Sequence, residues 1–248
     1  SLTGNTTSSL VFGGNSAGIT IPSSVSSLNN LTINNSSGVS LNADLGLTTN
    51  LLFNAGKLIT GSNKLILNSG ATITGAGQGT GWVNGNLQRN FSNADPGVFE
   101  IGDVNNYSPL TLTLSGLSVA GNVIGSSTAP DHPSISGSGI KSAKSINRYW
   151  NLTNSGVSFS AADISFNWNT ADNDAGIIPG NLRLAKYSGS VWTRPAVSGA
   201  TTSSIQANGI SSLSDFIIGE IANDFSPVIT SNGGGASASL SKSENATS

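Results

Sequence analysis

The turn from Asn169 to Asp174 holds the densest cluster of oxygen-bearing side chains in the sequence. Asp172 and Asp174 flank Asn173 there. Carboxylate and amide oxygens are the ligands that Ca²⁺ takes, about six to eight at a time. The Asp-x-Asp spacing falls short of an EF-hand loop. The cluster therefore predicts either a calcium site at Asp172 and Asp174 or a solvated turn.

Groups for nucleophilic or acid–base catalysis are sparse in the sequence. The single histidine, His132, follows Asp131 between two prolines, and an Asp–His pair could orient a general base. No Gly-x-Ser-x-Gly motif and no zinc-ligand spacing accompanies it, and the chain has no cysteine. We therefore expect His132 to be an ordinary loop residue and the protein not to be an enzyme.

The chain contains four tryptophans, which could bind sugars. Carbohydrate sites stack sugar rings on exposed aromatic side chains, which would make Trp82, Trp150, Trp168 and Trp192 a binding platform. The alternative is an aromatic core made of Trp150, Phe166, Trp168, Trp192 and Phe216. The sequence leaves both interpretations open.

The composition restricts the class of protein. Only 9% of residues are charged, against about 25% in average soluble proteins, and the net charge is -2. Bulk electrostatics therefore favours neither nucleic acid nor an anionic membrane as a partner. No run of about 20 apolar residues predicts a membrane span, and the first residues do not resemble a signal peptide, which we expect to be removed or to lie upstream. Abundant Ser, Thr, Asn and Gly without cysteine are typical of an extracellular surface protein.

A repeat organises the first third of the chain. An apolar-x-apolar triplet starts at Leu10, Leu31, Leu51 and Leu65, with spacings of about 21, 20 and 14 residues. A unit this short must stack on its neighbours to bury its apolar face. Side chains alternate along a strand, so the inward columns are predicted to be Leu10/Leu31/Leu51/Leu65 and Ile21/Leu41/Thr60/Ile73. Asn34, Asn54 and Asn68 follow the triplets and predict a stacked asparagine ladder.

The second half shows a different pattern. Alternating strands bounded by turns, without helical periodicity, predict an antiparallel β-sandwich over residues 88–221. The repeats predict a parallel β-solenoid over residues 1–87, capped by Trp82–Leu87. The expected fold class is therefore all-β, a short parallel β-solenoid followed by an antiparallel β-sandwich.

Several segments resemble a family of large Bacteroidetes surface proteins, in which a β-helical stretch precedes such a sandwich. They include Phe99-Glu100-Ile101-Gly102, Asn147-Arg148-Tyr149-Trp150-Asn151-Leu152 and Leu213-Ser214-Asp215-Phe216-Ile217-Ile218-Gly219. The family is similar to adhesins and gliding-type filaments exported by the type IX system. The resemblance implies a structural or adhesive segment at the cell surface, with other copies or modules of the same protein, or surface glycans, as partners.

The last residues, 222–248, show a second resemblance. Asn223-Asp224-Phe225-Ser226-Pro227 is similar to the linker of cadherin repeats, and Ser243-Glu244-Asn245 to the end of a cadherin first strand. The resemblance implies a truncated cadherin-like module in which Asp224 and Glu244 bind calcium. Ile221-Ala222 stands where the family has its first linker Asp. A plain Gly/Ser linker over residues 231–241 is the alternative.

Overall fold

The computed structural model describes residues 2–221 and confirms the expected fold class. A β-solenoid of about four turns precedes a separate antiparallel sheet. The first eight strands are β1 (Ser9–Gly14), β2 (Thr20–Ile21), β3 (Ser27–Asn35), β4 (Val39–Leu41), β5 (Leu45–Ala55), β6 (Leu58–Leu67), β7 (Thr72–Thr74) and β8 (Val83–Phe91).

Each solenoid coil has three faces, because the long strands β3, β5 and β6 each turn a corner. Face A stacks residues 9–14, 30–35, 50–55 and 72–74 in parallel. Face B stacks residues 20–21, 39–41, 58–59 and 83–84, and face C stacks residues 27–28, 45–47, 65–67 and 87–89. Equivalent positions in successive coils therefore lie about 20 residues apart, within the range of solenoid repeats.

The predicted inward columns are correct for the first three coils and wrong for the fourth. Leu10 pairs with Leu31 and Leu31 with Leu51, but Leu51 then pairs with Ile73, not Leu65. Leu65 lies on face C, between Leu45 and Leu87. The reason is the corner within β5 and β6, which places two apolar triplets of one coil on different faces. The spacing of about 14 residues between Leu51 and Leu65, shorter than the other two, indicates this change of face.

The interior of the solenoid is apolar and mostly aliphatic. Leu31, Leu51 and Leu65 are fully buried, and so is the one inward polar side chain on face B, Thr60. The hydroxyl of Thr60 accepts a hydrogen bond from the backbone N–H of Asn86 at 2.8 Å. Thr60 therefore satisfies its polar atom inside the core, as buried hydroxyl groups must.

The asparagine ladder predicted from Asn34, Asn54 and Asn68 does not form, because Asn34 pairs with Ala55 after a register shift and Asn68 follows a triplet of face C. All three side chains are exposed. The buried corner amide belongs to Asn35, one position later. Its Nδ2 donates to the carbonyl of Ser16 at 2.9 Å, and its Oδ1 accepts from the N–H of Ser37 at 3.0 Å. Asn35 thereby links two coils, which is the role that the sequence assigned to its neighbour.

The remaining elements form the sandwich. They are β9 (Gly97–Phe99), β10 (Ile101–Gly102), β11 (Leu110–Ser115), β12 (Gly121–Thr128), β13 (Ile140–Ser155), β14 (Ala161–Asn167), β15 (Leu182–Ser188), β16 (Val191–Thr193), β17 (Ala196–Ser198), β18 (Ser204–Ile210) and β19 (Asp215–Ile221). Short 3₁₀ turns lie at Ile135–Gly137, Thr170–Asp172 and Pro179–Asn181. One layer is the five-stranded sheet β17-β18-β14-β11-β9, and the other continues β8 as β12-β13-β19-β15-β16.

Strand β8 connects the two halves. It pairs in parallel with β6 of the solenoid and antiparallel with β12 of the sandwich, so that one sheet of 14 strands runs from β1 to β16. One apolar cluster extends from Ile21 to Ile218 without interruption. The boundary expected after residue 87 falls inside this strand, and the division into two domains stays a prediction. Among the described residues, no helix combines the length and apolar character needed to cross a membrane.

Candidate functional site

A cleft of about 370 Å³ lies where the end of the solenoid meets the sandwich. The glycine-rich loop after β7 contributes one wall, the loop after β10 the floor, and the end of β14 the other wall. Its lining residues are Gln78, Tyr107, Pro109, Asn167, Trp168, Asn169 and Ser203. None of these side chains is charged, so the cleft combines aromatic surface with neutral hydrogen-bonding groups.

The side chain of Gln78 holds the floor of the cleft in place. Its Oε1 accepts from the N–H of Tyr107 at 2.7 Å, and its Nε2 donates to the carbonyl of Asn105 at 3.0 Å. The ring of Tyr107 packs on that of Trp82, with 6.0 Å between their centroids, and Lys57 Nζ lies 4.6 Å from the Trp82 ring centroid. Gln78 on one side and Trp82 on the other therefore hold Tyr107 in place.

The Tyr107 hydroxyl is a neutral donor at physiological pH. Burial, with a further contribution from the nearby charge of Glu100, raises the pKa of Tyr107 to about 12. A protonated phenol can both donate and accept a hydrogen bond. The amides of Asn167 and Asn169 add neutral hydrogen-bonding groups beside this ring, although Oδ1 of Asn169 already accepts the N–H of Ala171 at 2.9 Å.

A buried polar network is centred on Arg148 of β13. Arg148 is fully buried, and its guanidinium contacts Asp172 at 2.8 Å, Ser127 at 2.7 Å and Asp103 at 3.1 Å. The backbone carbonyl of Asp103 accepts the indole N–H of Trp82 at 2.9 Å. The network therefore ties the end of the solenoid to the sandwich through charge-assisted hydrogen bonds.

The two carboxylates predicted to bind calcium are engaged by protein donors. Besides Arg148, Asp172 accepts from Asn106 Nδ2 at 2.7 Å. Asp174 accepts from the N–H of Ser145 at 2.9 Å and from Asn147 Nδ2 at 3.0 Å. In residues 2–221 no group of three or more His, Asp or Glu is placed to hold a metal ion. Calcium binding there stays a prediction, and Asp224 and Glu244 lie outside the described residues.

His132 lies in a loop, as expected, but it is buried and its partner is not Asp131. Its Nε2 lies 3.1 Å from Asp215, and its Nδ1 accepts the N–H of Ser134 at 3.1 Å. Three aromatic rings surround it with centroids about 5 Å away, those of Tyr149, Tyr187 and Trp192. Asp131 instead accepts from Ser145 Oγ at 2.8 Å. Both ring nitrogens are occupied, so His132 stabilises the loop by hydrogen bonds and packing.

The tryptophans do not form the predicted platform. Trp82, Trp150 and Trp168 are buried, and the core that includes Phe166 and Phe216 holds the last two. Trp192 is half-buried outside that core, where it packs on Tyr187 and donates its indole N–H to Ser134 at 3.0 Å. The expected aromatic core is therefore right except for Trp192. Sequence reasoning missed Tyr107, because a lone tyrosine in a loop carries no periodic signal.

Comparison with models of protein families, with curated proteins and with solved structures gives no match for this chain.

Proposed function

We propose that this chain is a non-enzymatic structural or adhesive segment of a large secreted cell-surface protein or filament of bacteria. The observation that carries the proposal is the single sheet that passes through β8 from solenoid to sandwich. A flexible linker between two modules would let them move independently, whereas shared strand pairing holds them in one orientation. A weakly charged segment whose two halves share one sheet suits a spacer that holds other modules away from a surface.

The buried network supports this mechanical role. Arg148 joins β13 to Asp103 in the loop that follows β10, so side-chain contacts reinforce the backbone pairing of β8 with β12. Rigid contact at such a junction is useful when a segment must hold its shape under load. The surface composition, rich in Ser, Thr and Asn, agrees with an extracellular position.

Antibodies raised against residues 2–221 test the location on intact cells that produce the protein. We expect labelling without permeabilisation, and loss of labelling after external protease treatment. Deletion of the coding segment from the parent gene should reduce attachment of the cells to a surface or to each other. Labelling that requires permeabilised cells, or unchanged attachment after deletion, would contradict the proposal.

A second candidate function, carbohydrate binding, is favoured by the neutral cleft around Tyr107. Its phenol ring and the amides of Asn167 and Asn169 suit an uncharged polyhydroxylated ligand. Trp168 lines the cleft but is almost wholly buried, so Tyr107 is the more exposed aromatic contact there. Such a site would give the segment an adhesive role in addition to its role as a spacer.

A glycan array probed with the wild-type chain, Tyr107→Ala and Tyr107→Phe tests this second candidate. We expect Tyr107→Ala to abolish binding, and Tyr107→Phe, which keeps the ring, to weaken it less. Tyr187→Ala is the matched control, because it removes a tyrosine ring outside the cleft. Absence of binding by the wild type, or equal losses in Tyr187→Ala and Tyr107→Ala, would remove the candidate.

A further inference from the structure

The side chain of Lys186 occupies a position that the alternation of β15 assigns to the core. Leu182 and Leu184 precede it at two-residue spacing, and both are fully buried in the sandwich. Side chains two positions apart on a strand share a face, so Lys186 also points towards the interior. It is only 8% exposed. A lysine is almost never buried to this extent unless its charge is paired.

The amine of Lys186 is held by a neutral group and not by a carboxylate. Its Nζ donates to Oγ of Ser212 at 2.7 Å. None of the ion pairs formed within residues 2–221 includes Lys186. An ammonium group carries three N–H donors, so a single hydroxyl acceptor leaves its charge largely uncompensated. Lys186 therefore breaks the rule that buried charges are paired, and such breaks are expected at functional positions.

Desolvation without a compensating negative charge lowers the pKa of Lys186 below the ordinary 10.5. The charged residues of the adjoining elements are engaged elsewhere. Asp215 of β19 binds His132 on the opposite face of the sheet, and Asp163 of β14 accepts a backbone N–H of β18. Arg194, directly after β16, is itself a cation and donates to a backbone carbonyl. Desolvation is one way in which proteins make a lysine nucleophilic, because only the neutral amine has a free lone pair.

Lys186 also lines a cleft of about 480 Å³ at the edge of the sandwich, where β15 and β16 of one layer meet β17 and β18 of the other. The walls include Thr193, Pro195 and Ile210, and no acidic residue from the described part of the chain lines the cleft. Ser212, which accepts from the amine, is exposed. The stem of Lys186 is thus buried, whereas its amine lies beside a solvent-accessible hydroxyl. A small molecule that enters the cleft can therefore reach the amine.

We infer that Lys186 is a nucleophilic lysine that binds small aldehydes from this cleft as a covalent Schiff base. The lone pair of Nζ attacks the carbonyl carbon, and a proton then moves from nitrogen to oxygen to give a carbinolamine. Ser212 Oγ, 2.7 Å from Nζ, is placed to relay that proton. Loss of water forms the C=N bond, so amine and aldehyde give imine and water without an oxidant or a reductant. The inference goes beyond the proposed adhesive function and does not depend on it.

Competitive labelling of the folded chain tests the inference. Glycolaldehyde with cyanoborohydride, which traps each imine as a stable amine, is followed by peptide mass spectrometry to give the labelling rate of each lysine. At neutral pH we expect Lys186 to be labelled several-fold faster than Lys141, although Lys141 is the more exposed of the two. A parallel series with hexanal distinguishes a hydroxylated aldehyde, such as an open-chain sugar, from an apolar one of lipid origin. Slower labelling of Lys186 than of Lys141 by both aldehydes, the order that exposure alone gives, would overturn the inference.

The pH profile of the labelling rate separates a nucleophilic amine from one that is merely accessible. For Lys186 the midpoint should lie below 10.5, the ordinary value for lysine. Ser212→Ala should slow labelling of Lys186 severalfold, whereas Ser211→Ala, the matched control at the neighbouring exposed serine of the cleft, should leave it unchanged. A midpoint at or above 10.5 would overturn the inference, and equal rates in the two serine variants would remove the relay role of Ser212. Either failure would leave the cell-surface proposal intact, because that proposal is tested on whole cells.

Discussion

Nε of Arg148 lies 2.8 Å from Oδ2 of Asp172, and the two side chains are buried between the sandwich and the end of the solenoid. A second carboxylate, that of Asp103, lies 3.1 Å from Nη2 of the same guanidinium. One guanidinium thus bridges two carboxylates in a largely buried position. This gives Asp172, a predicted calcium ligand, a structural role that needs no metal ion.

Removal of Arg148 should strongly destabilise the fold. Arg148→Met leaves the Asp103 and Asp172 carboxylates facing each other without a cation, and loss of one partner of a buried ion pair costs about 3–5 kcal/mol. Urea denaturation followed by fluorescence of the buried tryptophans measures the change. Lys64→Met is the control, because the ion pair of Lys64 with Asp44 is partly exposed and should contribute less than about 1 kcal/mol. Comparable losses in the two variants would show that the buried network contributes no more than a surface pair.

The solenoid register predicts that substitutions at inward and at outward positions change the free energy of unfolding by very different amounts. Leu51→Ala should lower the free energy of unfolding by about 2–5 kcal/mol, because it opens a cavity in a fully buried column. Thr32→Ala, on the outward side of β3, should change it by less than about 0.5 kcal/mol. Chemical denaturation of both variants decides the matter. Equal shifts would mean that the inward and outward positions are reversed.

Tyr107 should make stability depend on pH in the alkaline range. Burial raises its folded-state pKa from the ordinary 10.0 to about 12, so between these values the folded chain keeps a proton that the unfolded chain has lost. The folded state then binds more protons, and stability must fall as pH rises from about 10 to about 12. The quantity to measure is the difference in unfolding free energy between wild type and Tyr107→Phe, in which other titrating groups cancel. A difference that stays constant across this window would contradict the argument.

Calcium binding at Asp224 and Glu244 is predicted to require the following module. Calcium takes about six to eight oxygen ligands, and Asp224 and Glu244 are the two acidic residues that the sequence has between 222 and 248. Calorimetric titration should therefore give weak or no binding for the present chain and tight binding for a version extended by about 80 residues, roughly one small domain. Tight binding by the present chain that Asp224→Asn abolishes would refute this. Loss through Asp172→Asn instead would assign calcium to the turn at Asp172 and Asp174.

The apolar periodicity of the sequence predicted the fold class correctly, but it did not predict where the solenoid coils turn from one face to the next. The apolar triplets at Leu10, Leu31 and Leu51 predict three correct rungs, because burial on one side of a strand forces alternation. The same rule cannot tell on which face of the coil a triplet lies, which is why Leu65 was assigned to the wrong column. Strands β12 and β18 carry no strong apolar signal, since glycine, serine and asparagine occupy much of both.

The polar sites were less predictable than the core for a physical reason. His132 and Asp215 are 83 positions apart, and Arg148 contacts Asp103 across 45 positions. No local spacing rule connects such residues, because the pairing of β13 with β12 and β19 brings them together. In the sandwich, the core positions of Trp150, Phe166, Trp168 and Phe216 could be predicted beforehand, since large apolar side chains are usually buried.

The dual pairing of β8 also sets an order of assembly. Solenoid strands pair with partners about 20 residues away, whereas Ile140 of β13 pairs with Ile221 of β19, at the other end of the sandwich sequence. Short loops close at lower entropic cost, so we expect the coils to form early and to present the free edge of β8 to β12. The solenoid would then act as a template on which the sandwich grows. Pulsed hydrogen exchange should protect the amides of β3 and β5 before those of β13.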